Sequence, residues 1–273
     1  MKPAPRPIAL QLWTVREDLE ADTAATLDRV AARGFSAVEW YGLGDGDAAP
    51  AERVARAAAL RGMLDGAGLA ACAAHGRLPD GAELDAVLDE ARALGAGCLI
   101  APSPRSVDGC ESAFSDADGV RRLADRLNAA AERAAAAGVT IGYHNHWQEW
   151  RPLGDGRGAG RAGYDLLWER LGPGVVAEVD VYWARVGGQD PAAVIAGLGE
   201  RCRFLHVKDG PGDTVQPQTP LGEGVLDLDA ALAAGPHVRW HVVELDECDG
   251  DRLDAARAGG DWLVARGWSR WAA

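Results

Sequence analysis

The chain has 273 residues, 48% of them hydrophobic and 25% charged, which suits one large buried core and the length of a single α/β barrel. The formal net charge is -13, from 41 acidic against 28 basic residues, so the field repels polyanions and disfavours a nucleic-acid partner. The five cysteines form no CxxC pair and no apolar run reaches membrane-spanning length, which argues against a cysteine zinc site, a disulfide framework and a membrane helix, and predicts a soluble cytoplasmic protein.

In chain order, β-rich runs alternate with segments of helical period. Strands are predicted over Ile8–Trp13, Phe35–Trp40, Leu69–His75, Cys98–Ser103, Val139–His146, Val175–Asp180, Arg203–Asp209 and Arg239–Asp246. Helices are predicted over Thr23–Arg33, Ala51–Ala67, Leu84–Leu94, Asp118–Ala137, Asp165–Leu171, Pro191–Leu198, Asp227–Ala234 and Arg252–Arg266. Gly34, Gly68, Gly95 and Gly138 stand where helices must stop before the next strand. Strand–helix alternation builds a parallel sheet, and about eight units in this length favour a closed (β/α)8 TIM barrel, one domain over residues 1–273. No GxGxxG follows the first strand, which argues against a dinucleotide-binding fold.

The active site of such a barrel lies at the C-terminal ends of its strands. Those ends carry Gln11, Glu39, His75, His144 with His146, Asp180, His206 with Lys208, and Glu244 with Asp246. Alternation turns His144 and His146 to one face and Asn145 to the other, and likewise pairs Glu178 with Asp180 and His206 with Lys208. Taken singly, each has an ordinary explanation. Asp246 suits a helix N-cap, Lys208 and Asp209 suit an ion pair, and His237 and His241, near the start of the last strand, read as structural or exposed. Convergence changes the balance. Asp180, His206 and Glu244 end three successive strands, and two carboxylates with an imidazole at one barrel mouth call for a cation. The O/N donor set suits one divalent metal ion: Mn, Mg, Co or Zn. Trp13, Trp40, Trp147 and Trp183, at or just past strand ends, are candidate apolar walls for a sugar ring, with ordinary packing equally open.

The segments LQLWTVREDLEADTAATLDRVAARGFSAVEWYGL, GYHNHWQEW, VDVYWA, FLHVKDG, PLGEGVLDL and VVELDEC resemble the sugar phosphate isomerase/epimerase family, whose fold is the xylose-isomerase-like barrel. The resemblance runs from about Ile8 to the final helix. It implies a divalent metal held by a Glu, an Asp, a His and a second Glu; the last three correspond to Asp180, His206 and Glu244. Family epimerases carry the first glutamate within the fifth strand, whereas this strand reads GYHNH and Glu149 follows it. Glu149 is therefore the candidate fourth ligand, with His144 or His146 as the alternative.

The resemblance also implies the chemistry: two acid/base residues on opposite faces of the substrate move a proton next to a carbonyl, through an ene-diolate. Glu244 and Glu149 are the candidate catalytic pair, and His75, His144, His146, Trp183 and Lys208 the candidate substrate-binding residues. The implied substrate is a small sugar, free or phosphorylated; a homo-oligomer is allowed. The YHNH strand also suits a metal-dependent lyase that dehydrates a keto-inositol or eliminates from a 3-keto-glycoside. An abasic-site endonuclease of the same fold needs a multi-metal cluster with further histidines, which this acidic chain lacks. A sugar-binding barrel without turnover is the non-catalytic alternative.

Overall fold

The structure is a computed structural model that describes residues 2–154 and 162–271. Eight parallel strands close into a barrel: β1 (Arg6–Gln11), β2 (Ala37–Leu43), β3 (Ala70–Gly76), β4 (Cys98–Ala101), β5 (Thr140–His144), β6 (Val175–Asp180), β7 (Cys202–Val207) and β8 (Trp240–Val243). Each pairs with its sequence neighbours, and β1 pairs with both β2 and β8 to complete the ring. The chain is thus a (β/α)8 TIM barrel. A ninth strand, β9 (Ser269–Arg270), pairs with β1 outside the ring and was not anticipated from the sequence. Two residues give too short a run for a hydrophobic period to register.

The eight predicted helices are present with ends shifted by no more than two residues. Two further short helices, Arg16–Ala21 after the 3-10 turn Leu12–Val15 and Val181–Val186 directly after β6, lie outside the predicted set. At Gly95, φ is +86°, the left-handed backbone that stops helix Ala82–Leu94 before β4.

The barrel interior divides into two halves along its axis. Ala9, Ala37, Ala73, Cys98, Ile100, Phe204 and Val242 form an apolar plug. Two residues further along, the same faces of β1, β2, β3, β7 and β8 carry Gln11, Glu39, His75, His206 and Glu244. Mixed sizes fill the plug: a Cβ at Gly142 would lie 2.9 Å from Ile100 Cγ1, so the glycine leaves room for that isoleucine. The main hydrophobic core lies outside the barrel wall, where Leu10, Val38, Leu99, Ile141, Val179, Leu205 and Val243 meet the helices.

Two polar residues brace this frame. Buried Asp209 accepts N–H bonds from Gly210 and Gly222 (2.9 Å each), Gly224 (3.1 Å) and Leu226 (3.3 Å), so the PLGEGVLDL segment folds back onto the end of β7. It does not pair with Lys208 as the sequence suggested, because four backbone donors already surround it. Buried His241 hydrogen-bonds through Nδ1 to Ser269 Oγ at 2.7 Å and links β8 to β9, whereas His237 is exposed.

Burial, with Arg6 adding to it, pushes the His241 imidazole down to about 3. Below about pH 6.5 the unfolded chain binds a proton there that the folded chain refuses. Stability is therefore lost as pH falls from about 6.5 toward 3, by at most about 1.4 kcal/mol per pH unit from this residue. His241→Asn is expected to flatten the acid limb of the stability curve, measured by urea unfolding between about pH 4 and 7. A wild-type slope retained in the variant would count against this account.

Candidate metal centre

Local structure delivers the polar side chains to the barrel mouth. β1 stops at Gln11 because its side-chain oxygen accepts the Trp13 N–H at 3.1 Å and starts a tight helical turn. After β5 ends, Asn145 takes over the ladder: its amide accepts the Asp180 N–H at 3.1 Å and donates to the Asp180 carbonyl at 3.2 Å. That pairing turns Asn145 away from His144 and His146 and fixes the height of Asp180. Asp180 then uses Oδ1 to cap the helix Val181–Val186, accepting the Trp183 N–H at 2.9 Å. Its Oδ2 remains buried without a hydrogen-bond donor. Beyond β8, the Leu245 N–H donates to buried Thr14 Oγ at 3.2 Å and places Glu244 at the rim.

The side chains form two linked groups. In the upper one, Asp180, His206 and Glu244 each offer a ligand atom, all within 4.8 Å of one another. In the lower one, His75, His144, Glu178 and His206 do the same. His206 belongs to both: Nδ1 lies 2.6 Å from Glu244 Oε2, and Nε2 lies 2.6 Å from Glu39 Oε2 and 3.1 Å from Glu178 Oε2. Glu178 Oε2 also faces His75 Nε2 at 2.6 Å and His144 Nδ1 at 3.1 Å.

Lys208 Nζ is buried among Asp180 Oδ2 (3.0 Å), Glu244 Oε2 (2.7 Å) and Asp246 Oδ2 (2.8 Å), and only the last contact has hydrogen-bond geometry. Asp246 is therefore no helix N-cap. It binds Lys208 and Gln218, and Asp251, nearer the helix start, caps Arg252–Ala265.

Burial dominates the electrostatics. It raises the Asp180 carboxyl to about 6 despite Lys208 and His206, and with the charge of Glu178 it raises Glu39 to about 7. For Glu244 burial pulls upward too, but Lys208 and His206 outweigh it and hold the carboxyl well below the usual range. Burial, reinforced by Lys208, lowers the His146 imidazole to about 4 and leaves it neutral. Burial likewise opposes charge on Lys208 and His206, but the surrounding carboxylates keep both cationic.

A cavity of about 270 Å³ opens above these groups, lined by His75, His144, His146, Lys208, Glu244 and Trp13 among others. Asp180 and His206 lie directly beneath it, in contact with Lys208 and Glu244. Trp183 packs against Trp147 and His146, with ring centroids 4.6 and 6.2 Å away, and Lys208 Nζ is 5.6 Å from its ring. Trp40 packs against the core instead, and a groove beside the cavity is lined by His146, Trp147 and Glu149.

Glu149 joins neither group. It is buried at the foot of that groove, and Tyr143 Oη donates to its Oε1 at 3.0 Å while Oε2 has no donor. Tyr143 alternates with His144 and faces outward from the barrel, which draws the carboxylate aside. Strand alternation foresaw His144 and Asp180. The side-chain shift toward Tyr143 could be read only from packing around β5. The sequence also pointed to Gln11 and Glu39 as strand-end residues and to Glu178 as sharing a face with Asp180, without indicating that Glu39 and Glu178 meet at His206 or that Gln11 bonds Glu39.

Residues 27–263 match the model of the xylose isomerase-like TIM barrel family. A sugar phosphate isomerase/epimerase from Parabacteroides distasonis is similar in structure, with a TM-score of 0.80 at 23% identity over 98% of this chain and 96% of that one. A D-allulose 3-epimerase from Methylomonas sp. gives 0.65 at 17% identity, over 97% and 100%. A probable 3-DHS dehydratase from Bacillus anthracis gives 0.65 at 13%, over 97% and 99%. No curated protein matches the sequence. At these identities the structural likeness shows the fold.

Lys208→Met strips Asp180, Glu244 and Asp246 of their buried ammonium, and is expected to destabilise the metal-free protein by about 3–5 kcal/mol. A divalent cation can replace the lost charge. The rise in Tm on adding Mn²⁺ should therefore be larger in the variant than in wild type. Equal rises would show that Lys208 and the cation do not share these carboxylates.

Proposed function

Because the chain belongs to the xylose isomerase-like TIM barrel family, we propose that it is a divalent-metal-dependent sugar isomerase or epimerase. The supporting observation is an excess of carboxyl groups over cationic side chains packed below the cavity. Among the described residues, the buried carboxyls of Glu39, Glu178, Asp180 and Glu244 surround two groups that they hold cationic, His206 and Lys208, and they raise the His75 imidazole against its burial. A buried carboxylate surplus must take up protons or hold a cation. The donor chemistry fits a metal: Asp180, His206 and Glu244 offer oxygen and nitrogen within a 4.8 Å group, and Asp180 Oδ2 is a buried oxygen that no donor satisfies.

In this reading Asp180, His206 and Glu244 would hold the ion, and Glu149, whose Oε2 meets no donor, would supply the fourth ligand atom. That Glu149 carboxyl is raised by burial, and the charge of Asp180 adds to the rise, so the two carboxylates sense each other. When bound, the ion polarises a carbonyl oxygen and offsets negative charge developing on it.

The residues of the chain do the rest. Glu244, anionic and at the cavity wall, removes a proton from the carbon beside the carbonyl and leaves an ene-diolate. Glu149 returns a proton from the opposite face to the same carbon for epimerisation; for isomerisation a proton goes to the neighbouring carbon while the hydroxyl proton of the first carbon passes to the former carbonyl oxygen. Lys208 donates to a substrate oxygen, His75, His144 and His146 hold hydroxyls, and Trp183 backs the sugar ring. The substrate is a small sugar.

A second reading, elimination from a keto-inositol or 3-keto-glycoside, is favoured by His146 and Lys208 lining the same cavity. A neutral imidazole and an ammonium in one cavity offer a base and an acid to the same substrate. The imidazole would take the C–H proton, and Lys208 would give one to the departing hydroxyl or glycosidic oxygen.

Metal content and proton exchange separate these possibilities. Asp180→Ala and Glu244→Ala should fold but lose bound metal in elemental analysis, and native metal content in folded Glu244→Ala would overturn the centre. Glu149→Gln should also lower metal content; an unchanged value would give the fourth position to His144 or His146. In D₂O, NMR of ketoses should show deuterium entering next to the carbonyl, slowed by about 10²–10⁴-fold in Glu244→Gln. Growth of an enone absorbance with a keto-inositol, without such exchange in ketoses, would assign the lyase instead.

A further inference from the structure

The metal ligands of this reading leave two fully buried polar side chains, Glu39 and Gln11, with no part to play. Both are tied to His206. A carboxylate oxygen only accepts hydrogen bonds, so an imidazole held between two carboxylates carries a proton on each nitrogen or gives one nitrogen to a cation. His206 stands in that position, with Nδ1 at 2.6 Å from Glu244 and Nε2 at 2.6 Å from Glu39. If Nδ1 serves a cation shared with Asp180 and Glu244, the ring keeps one proton, on Nε2. Glu39 is its nearest acceptor.

Glu178 is the poorer choice. It lies farther from Nε2, at 3.1 Å, and the same oxygen already meets His75 at 2.6 Å and His144 at 3.1 Å. Glu39 Oε2, by contrast, is anchored from behind. Gln11 Nε2 donates to it at 2.6 Å, and the Gln11 amide is oriented by its own Oε1, which accepts the Trp13 N–H at 3.1 Å. A chain of hydrogen bonds thus runs from the backbone of the turn after β1, through Gln11 and Glu39 on adjacent strands, to His206 on β7.

We propose that Glu39 is the positioning residue of the metal centre: it accepts the Nε2–H of His206 and so presents Nδ1 to the ion, with Gln11 fixing Glu39. The proposal rests on the reading of Asp180, His206 and Glu244 as metal ligands. Its physical basis is general: a carboxylate behind a metal-bound imidazole selects the tautomer, limits ring rotation and raises the basicity of the ligating nitrogen.

The test uses the full chain, Zn²⁺ as probe, and Glu39→Gln and Gln11→Ala as variants. Isothermal titration should give a Zn²⁺ affinity weaker by about 10–100-fold in Glu39→Gln, and weaker to a lesser degree in Gln11→Ala. In ¹⁵N-histidine NMR of the Zn²⁺-loaded wild type, His206 should be protonated at Nε2 and metal-bound at Nδ1. Both variants should shift that Nε2–H resonance and speed its exchange with water. Circular dichroism and Tm confirm folding, and Gln11→Ala carries the test if Glu39→Gln does not fold. A variant that loses Tm but keeps wild-type Zn²⁺ affinity and an unshifted resonance would overturn the proposal and leave Glu39 a structural residue. Wild type that binds no Zn²⁺, Mn²⁺, Mg²⁺ or Co²⁺ would overturn the metal reading and this proposal together. Wild type that binds while Glu39→Gln binds equally well would overturn this proposal alone.

Discussion

An imidazole clasped by carboxylates at both ring nitrogens organises the upper half of this barrel. His206 joins the lower group of Glu39, Glu178, His75 and His144 to the upper group of Asp180, Glu244 and Lys208. In a nearly water-free interior, each such carboxylate is tolerated only where a cation or a donor meets it, so the groups cannot be placed independently. Moving His206 would leave both halves with unbalanced charge. The pairing therefore ties β2, β6, β7 and β8 together at the mouth, above the apolar plug that joins strands below.

The plug and the charged tier are complementary. Small residues such as Ala9, Ala37 and Ala73 leave space that Phe204 and Ile100 fill, giving a close-packed apolar floor. Polar side chains one inward step higher then stand in a low-dielectric setting with little freedom to relax. That setting explains why carboxyls with similar chemistry diverge: Asp180 and Glu39 are raised, whereas Glu244, close to Lys208 and His206, is held low. Burial and local charge thus set carboxyls of one site apart in their hold on a proton.

The surrounding loops serve that tier. Asp209 ties four backbone N–H groups into the turn after β7, and Tyr182 Oη donates to the Asp213 carbonyl at 2.8 Å. Gln218, carried by this loop, reaches Asp246 and thereby supports the outermost partner of Lys208. Bonds made by buried side chains to loop backbone give the mouth a definite shape without further secondary structure.

The amino-acid sequence alone determined the barrel and most of its element boundaries, because hydrophobic periodicity and helix-stopping glycines are local signals. It also determined which strand ends are polar, and alternation placed His144, Asp180, His206, Lys208 and Glu244 toward the interior. Only the tertiary structure decided which of these meet. Glu178 faces His206 because β6 lies beside β7, and Glu39 reaches it across the barrel interior from β2, a relation set by ring closure and register. Asp246 binds Lys208 rather than capping a helix because the chain continues to Asp251 before turning helical. Glu149 sits against Tyr143 because the outward face of β5 offers a buried hydroxyl within reach. Such contacts depend on distances between strands remote in sequence, and no local pattern of residues encodes them.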